Sequence, residues 1–209
     1  MVSANTCSVV ATCVVVGNGP SVTPGLLEAI GCPSFGLNAV ASIYPQTTWR
    51  PTHYLLGWSQ GDGGLSALPL ILESVALGIP SYIPHHWGER VTGPNVFLYG
   101  MHKGTEWATH TTSLFGGHTS VYLAAQMATV LGFSHVLFMG LDGLKPRHGR
   151  DPNHMTDNYY EFDEDLSAKN AAIANAGMFA GYIQMVGLMK DRGVTCDFVV
   201  PPKRIGLEF

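Results

Sequence analysis

The chain has 209 residues, of which 46% are hydrophobic and 12% charged, so it is long enough to bury the core of one α/β domain and too apolar to be disordered. A net charge of −4 and a pI near 6.1 provide no basic surface to neutralise DNA or RNA phosphates, and we expect no nucleic-acid partner. The mean hydropathy of +0.16 is high for a soluble protein and favours burial of further surface in a homo-oligomer.

The cellular compartment is predicted from three features of the sequence. The four cysteines contain no CxxC pair, which indicates reduced thiols rather than a disulfide or a metal site. No basic segment precedes the first apolar stretch, and we expect no secretory signal. No apolar run approaches the ~20 residues that a membrane span requires. The cytoplasm is therefore the simplest prediction.

Short β-branched runs alternate with helix-length segments along the chain. This alternation predicts a single Rossmann-like α/β domain over residues 1–209, with a mostly parallel sheet and helices on both faces. The first strand lies in SVVATCVVVG, residues 8–17, which is nearly continuously apolar, as expected of a strand covered on both faces. A weaker second strand ends near Asn38, and a third strand, in THYLLG, ends at Gly57.

The middle of the chain contains two predicted helices. Residues 63–78 read as a helix with Pro69 in its first turn or at a kink, and SYIP and NVFLYG read as short strands. The clearest unit spans residues 119–142, where a helix closed by Gly132 precedes the buried strand HVLFMG.

A long polar loop is predicted for residues 142–162, because this stretch has two prolines and no hydrophobic period. It follows a strand, and we expect it to be more mobile than the core and to order over a bound ligand. A second long helix ending near Gly193 and a last strand in VTCDFVVPP complete the domain.

The first candidate site is the turn GNGPS, which directly follows the first strand. Ligands of open α/β sheets bind beyond the carboxyl ends of the strands. Gly17 and Gly19 allow the backbone to approach a ligand, and Asn18 and Ser21 offer polar side chains. The turn matches neither GxGxxG nor a Walker loop. The alternative is a turn that only connects a strand to a helix.

The second candidate site is FGGHTS, which opens the clearest helix. Thr119 or Ser120 is explained by helix capping alone, and the exposed amides of the same helix end can also hold a phosphate. The two interpretations are compatible.

The third candidate site is the long loop, which begins at Asp142. Histidine is suited to proton transfer near neutral pH, and tyrosines commonly hold phosphate or sugar oxygens. Asp142 and two histidines could instead bind a metal, but their spacing matches no ligand motif, and we predict no metal site. The side chains in question, after Asp142, are His148, Asn153, His154, Tyr159 and Tyr160.

Four stretches, VVVGNGPSV, GLNAV, HTSVYLAAQMATVLGFSHVLFMGLD and PNHMTDNYY, together resemble one Rossmann-like family. This family joins the 6-hydroxymethylpterin diphosphokinase-like proteins (the DUF115 group) to bacterial CMP-sialic-acid-dependent sialyltransferases. The resemblance covers most of the chain and implies a nucleotide held across the carboxyl edge of the sheet. By this resemblance, Asn18, Gly19 and Asn38 match positions that contact the nucleotide.

The resemblance also extends to the second and third candidate sites. His118, Thr119 and Ser120 fall where the family has a Thr-Ser-Gly helix start, so Ser120 replaces a glycine. Tyr159 and Tyr160 are similar in placement to phosphate-binding tyrosines, and His154 to a loop histidine. No histidine follows Tyr160, so the sialyltransferase general base has no counterpart.

Three functions follow from the motifs and the resemblance. The first is a nucleotide-sugar glycosyltransferase of surface-polysaccharide biosynthesis, with a CMP-sugar-like donor, a glycan or small-molecule acceptor, no permanently bound cofactor, and His154 or His148 as the base. The second is transfer of pyrophosphate from ATP to a pterin-like alcohol, for which Asp142, Asp151 and Asp157 are possible Mg²⁺ ligands. The third is a nucleotide- or glycan-binding module without chemistry.

Overall fold

The computed structural model describes residues 11–58, 65–117, 119–145, 153–156 and 167–199. Its core is one eight-stranded sheet in the order β6-β5-β4-β3-β2-β1-β7-β8, and every adjacent pair of strands is parallel. The predicted Rossmann-like α/β fold is thereby confirmed. The strands are β1 (Thr12–Val16), β2 (Ser34–Leu37), β3 (His53–Leu55), β4 (Ser81–Pro84), β5 (Val96–His102), β6 (Ser113–Phe115), β7 (His135–Met139) and β8 (Thr195–Phe198).

The helices begin at the capping residues that their sequences favour. The side chains of Thr23, Thr119 and Ser167 each accept a hydrogen bond from the backbone N–H three residues further on. Pro69 lies in the first turn of its helix, as predicted. The α-helices are α1 (Pro24–Glu28), α2 (Leu68–Val75), α3 (Ser120–Val130) and α4 (Ala168–Lys190), and 3₁₀-helices span Val40–Gln46 and His85–Trp87.

Helices cover both faces of the sheet, which explains why β1 is apolar from Cys13 to Val16. Cys13 and Val15 belong to the core that includes residues of α3 and α4, whereas Val14 and Val16 belong to the core that includes residues of α1 and α2. Successive side chains of a strand point to opposite faces, so a strand buried on both sides has no polar position.

Besides the short 3₁₀-helix His85–Trp87, two elements were not predicted from the sequence. Strand β6 has three residues and pairs only with Gly100–His102 of β5, and the 3₁₀-helix Val40–Gln46 follows β2. Both are too short, or too irregular, to produce a hydrophobic period that sequence analysis detects.

The expectation that no apolar segment is long enough for a membrane span is wrong. Helix α4 has 23 residues and a window of mean hydropathy 1.3, which suffices by length and composition alone. Mostly buried core helices of soluble proteins meet the same criterion, whereas 22% of this window is buried. In the structure α4 packs against α3 and β8 and buries Tyr182, Met185 and Met189.

The prediction of reduced thiols is confirmed for the three cysteines that the structure describes. Cys13, Cys32 and Cys196 are free. Burial raises the pKa of the Cys13 thiol to about 12, with a smaller contribution from the neighbouring Cys32. Such a thiol stays protonated and packs as a small apolar side chain. Cys7 lies outside the described residues.

The strand order places a topological switch point between β1 and β7. From β1 the chain builds the sheet outward through β2 to β6, and then returns to add β7 on the other side of β1. The connections that leave two such neighbouring strands diverge, which opens a crevice at their carboxyl ends. Any ligand site is therefore expected beside residues 17–21 and 140–145.

Candidate functional site

The turn after β1 packs directly against the turn after β7. The amide of Gly17 donates to the carbonyl of Met139 at 2.9 Å, and the amide of Gly19 donates to that of Gly140 at 3.1 Å. A Cβ on Gly17 would lie 2.6 Å from the Gly140 oxygen, and Gly140 itself has a φ of +72°. Gly17 is therefore needed for contact between the two turns, a reason that sequence analysis did not supply.

Asp142 joins these turns through its carboxylate. Its Oδ2 accepts hydrogen bonds from the amide of Ser21 at 3.1 Å and from the hydroxyl of Ser21 at 2.7 Å. A Cβ on Gly19 would lie 2.1 Å from this same oxygen. One carboxylate oxygen of Asp142 thus holds the turn after β1 in place, and Asp142 also lines a cavity.

The two asparagine amides assigned to a nucleotide by resemblance are bonded within the protein. The Nδ2 of Asn38 donates to the Ser120 hydroxyl at 2.9 Å, and its Oδ1 accepts from the Gly57 amide at 2.8 Å. The Nδ2 of Asn18 donates to the carbonyl of Leu37 at 2.9 Å. Asn38 has a φ of +51°, which asparagine tolerates better than most residues. These amides connect the ends of β2 and β3 to the start of α3.

The start of α3 is held by Thr119, as its capping role predicts. The Thr119 Oγ1 accepts from the amide of Tyr122 at 3.1 Å. Burial raises the pKa of the Tyr182 hydroxyl, the nearby Asp142 charge adds to the rise, and a hydrogen bond with Thr119 opposes it. Tyr182 is therefore a neutral phenol at physiological pH and can donate a hydrogen bond.

Two asparagine side chains hold the chain after β7. The amide of Asn175, on α4, pairs with the backbone of Leu144: its Oδ1 accepts at 2.7 Å and its Nδ2 donates at 2.9 Å. The buried amide of Asn153 pairs in the same way with the backbone of Lys145. Sequence analysis missed Asn175, for which the only signal is a polar residue within an alanine-rich helix.

His154 is positioned by its two neighbours in the chain. Asn153 is bonded to the backbone of Lys145, and the amide of Met155 donates to the carbonyl of Asn18 at 2.8 Å. With both flanking residues fixed, His154 is one of the residues that line the cavity, as is Asp142. The other predicted residues of this region, His118, His148, Asp151, Asp157, Tyr159 and Tyr160, lie outside the described residues.

Two adjoining cavities open at this edge of the sheet. The smaller, of about 160 Å³, lies at the switch point and is lined by the turns after β1 and β7 together with Asn38, Asn153 and His154. The larger, of about 800 Å³, lies beyond the ends of β3, β5 and β6 and includes Thr119. The side chains of four residues border both cavities: Trp58, Ser120, Met178 and Tyr182.

The two cavities thus bring together the first candidate turn, the start of α3 and part of the long loop. Comparison of the chain with protein-family models, curated proteins and solved structures found no match. Within the described part of the chain, no cluster of three or more His, Cys, Asp or Glu could hold a metal ion. Sequence analysis missed Trp58, Met178 and Tyr182, of which only Trp58 lies directly beyond a predicted strand.

Proposed function

We propose that this protein is a nucleotide-dependent group transferase, and specifically a nucleotide-sugar glycosyltransferase related to the sialyltransferases, acting in surface-polysaccharide biosynthesis. The observation that supports this best is the cavity at the β1/β7 switch point, where His154 and Asp142 lie beside the two glycine turns. Nucleotides bind at such switch points in open α/β sheets. The order of the motifs along the chain, and their resemblance to that family, agree with this proposal.

The lining residues support a reaction that relies on positioning and proton transfer. The His154 imidazole can accept the proton of an acceptor hydroxyl as it attacks the donor. The neutral phenol of Tyr182, at the border of both cavities, can donate a hydrogen bond to a leaving phosphate oxygen. Asp142, half-buried and bonded to Ser21, fixes the turn on which the substrate would rest.

The test is a thermal-shift screen of CMP, UDP, GDP and ATP, each with and without Mg²⁺. A ligand that binds only the folded protein stabilises it by about 2.7 kcal/mol at ~100 times its Kd. We expect CMP or another nucleoside phosphate of a sugar donor to raise the melting temperature without Mg²⁺, and the matching nucleotide sugar to be turned over with an acceptor.

Other outcomes of this screen favour the other two functions. Stabilisation by ATP only with Mg²⁺, followed by pyrophosphate transfer to a pterin-like alcohol, would favour the diphosphokinase reaction. Binding without turnover of any donor would favour a non-catalytic module. Of the three carboxylates proposed for Mg²⁺, the structure describes Asp142 alone, and that residue bonds Ser21.

Cytoplasmic location and homo-oligomer formation belong to the same proposal. Two isoleucines of α4, Ile173 and Ile183, have exposed fractions of 63% and 52%, which supports burial of this surface in a larger assembly. Sedimentation of the purified protein at several concentrations measures the oligomeric state directly.

A further inference from the structure

We propose that the larger cavity binds the nucleobase of the donor, with Trp58 against the ring and Lys103 near the phosphate, while the smaller cavity receives the group that is transferred. This inference rests on the proposed function and assigns the parts of its substrate to the two cavities. Neither Trp58 nor Lys103 belongs to a motif that sequence analysis singled out.

The volumes of the two cavities support this division. Sites for nucleotide-sized ligands typically enclose ~300–1,000 Å³. The cavity at the switch point, with about 160 Å³, is too small for a whole nucleotide, whereas the larger one, with about 800 Å³, lies within that range. A whole nucleotide sugar must therefore extend from the smaller cavity into the larger one.

The polar groups of the smaller cavity are also poorly suited to recognise a base. The Nδ2 atoms of Asn18 and Asn38 donate to Leu37 and Ser120 of the protein itself. Each Nδ2 keeps a second hydrogen, but turning either amide to meet a base edge would break the bond that holds β2 to its neighbours, at a cost of about 1 kcal/mol or more. These two side chains therefore shape the cavity rather than select the base.

The larger cavity presents the surface that a planar ring requires. Apolar residues of β5, α3 and α4 and of the segment after β3 line it, and aromatic faces stack on heterocyclic rings in a sequence-tolerant way. Glycines 57, 104, 116 and 117 add backbone without side chains to its wall. The apolar side chains are Trp58, Met101, Leu123 and Met178.

The charges that line the two cavities determine which end of the ligand enters each of them. Among the described residues that line either cavity, Lys103 is the only lysine or arginine and lies in the larger, whereas Asp142 is the only carboxylate and lies in the smaller. A phosphate is therefore drawn toward the larger cavity and away from Asp142. The shared border at Ser120 and Tyr182 is then the point where the bond to the transferred group breaks, with His154 on the acceptor side.

Trp58 provides a direct optical signal for ring binding. The chain has four tryptophans, and Trp49, Trp87 and Trp107 have exposed fractions of 8%, 0% and 7%. Trp58 is half-buried and borders both cavities. Quenching of tryptophan fluorescence by a bound base therefore reports on Trp58.

The experiment titrates CMP, UDP, GDP and ATP into the protein, and follows tryptophan fluorescence together with the heat of binding. We expect saturable quenching, which Trp58→Phe abolishes, and weaker binding by that variant, since a phenyl ring offers a base less stacking area than an indole ring does. Lys103→Gln should weaken binding of the nucleotide but not of the corresponding nucleoside. Lys190→Gln, an exposed lysine at the far end of α4, is the matched control and should change neither.

The outcomes separate this inference from the proposed function. If a nucleotide binds and its sugar is transferred, but neither Trp58→Phe nor Lys103→Gln changes its affinity, the assignment of the larger cavity is wrong and the transferase proposal stands. If no nucleotide binds the wild-type protein, both are wrong. Lys103 is exposed, so its variant remains a test even if Trp58→Phe does not fold.

Discussion

Ser21 donates both its backbone amide and its hydroxyl to a single carboxylate oxygen of Asp142, at 3.1 and 2.7 Å. The two residues are 121 positions apart and lie after β1 and β7, the neighbouring strands of the switch point. Hydrogen bonds to an ionised acceptor are stronger than those between neutral groups. This pair therefore fixes the two turns that form the smaller cavity.

We expect Ser21→Ala and Asp142→Asn each to lower the free energy of unfolding by about 1–3 kcal/mol, because each removes part of a charge-assisted pair. Urea denaturation of the wild type, both single variants and the double variant measures the coupling between them. A coupling of about 1 kcal/mol or more is expected. Strictly additive losses would contradict a direct Ser21–Asp142 contribution.

The contact between the glycine turns predicts a strong effect of a single methyl group. Gly17→Ala should destabilise the fold by about 2 kcal/mol or more, because the new Cβ would lie 2.6 Å from a backbone oxygen that cannot move alone. Gly177→Ala is the control, since a Cβ at this position of α4 meets no atom within 4 Å. It should leave stability unchanged or raise it by up to about 1 kcal/mol. Equal effects of the two substitutions would rule out the packing argument.

His154 is expected to carry proton transfer. His154→Ala should reduce turnover about 10²-fold or more with the melting temperature preserved, since positioned acid–base groups typically contribute 10²–10⁴. His110→Ala, which changes an exposed histidine outside both cavities, should retain full activity. Full activity of the His154 variant would remove this residue from the mechanism.

The paired amides of Asn153 and Asn175 predict how the long loop behaves. Hydrogen exchange at Leu144 should be slow in the wild type and accelerate in Asn175→Ala, because the variant frees both backbone groups of that residue. A bound nucleotide should slow exchange across residues 142–162 in the wild type. Exchange that is unchanged by a ligand shown to bind would contradict the ordering of this loop.

His53 makes the stability of the fold dependent on pH. Its ring stacks on Phe35 with 4.7 Å between centroids, and burial lowers its pKa. The unfolded chain then binds a proton at His53 more readily than the folded chain does. The contribution of neutral His53 to the free energy of unfolding is therefore fully present above the unfolded pKa of ~6.5 and is lost as pH falls through the folded pKa. Urea denaturation between pH 5 and 7.5 should show a decline toward acid pH that is smaller in His53→Gln. If the pH dependence is the same in that variant, groups other than His53 cause the loss of stability toward acid pH.

The sequence by itself determined the fold class and most elements. β1 and β7 are apolar runs because both faces of the sheet are covered; α3 was found through its capping residue and glycine end, and α4 through its length and glycine end. Such features are local, because they follow from the preferences of neighbouring residues. The candidate turn after β1 and the capping role of Thr119 were recognised for the same reason.

Only the tertiary structure decided which of these elements meet. No local pattern encodes that β7 returns to the side of β1, since strand order depends on the packing of distant segments, and that order creates the switch point. The same long-range packing gave Gly17 its role against Gly140 and brought Asn175 to Leu144. It also brought Trp58 and Tyr182 to the same two cavities, because residues far apart in sequence come together only when the parallel strands align their carboxyl ends at one edge.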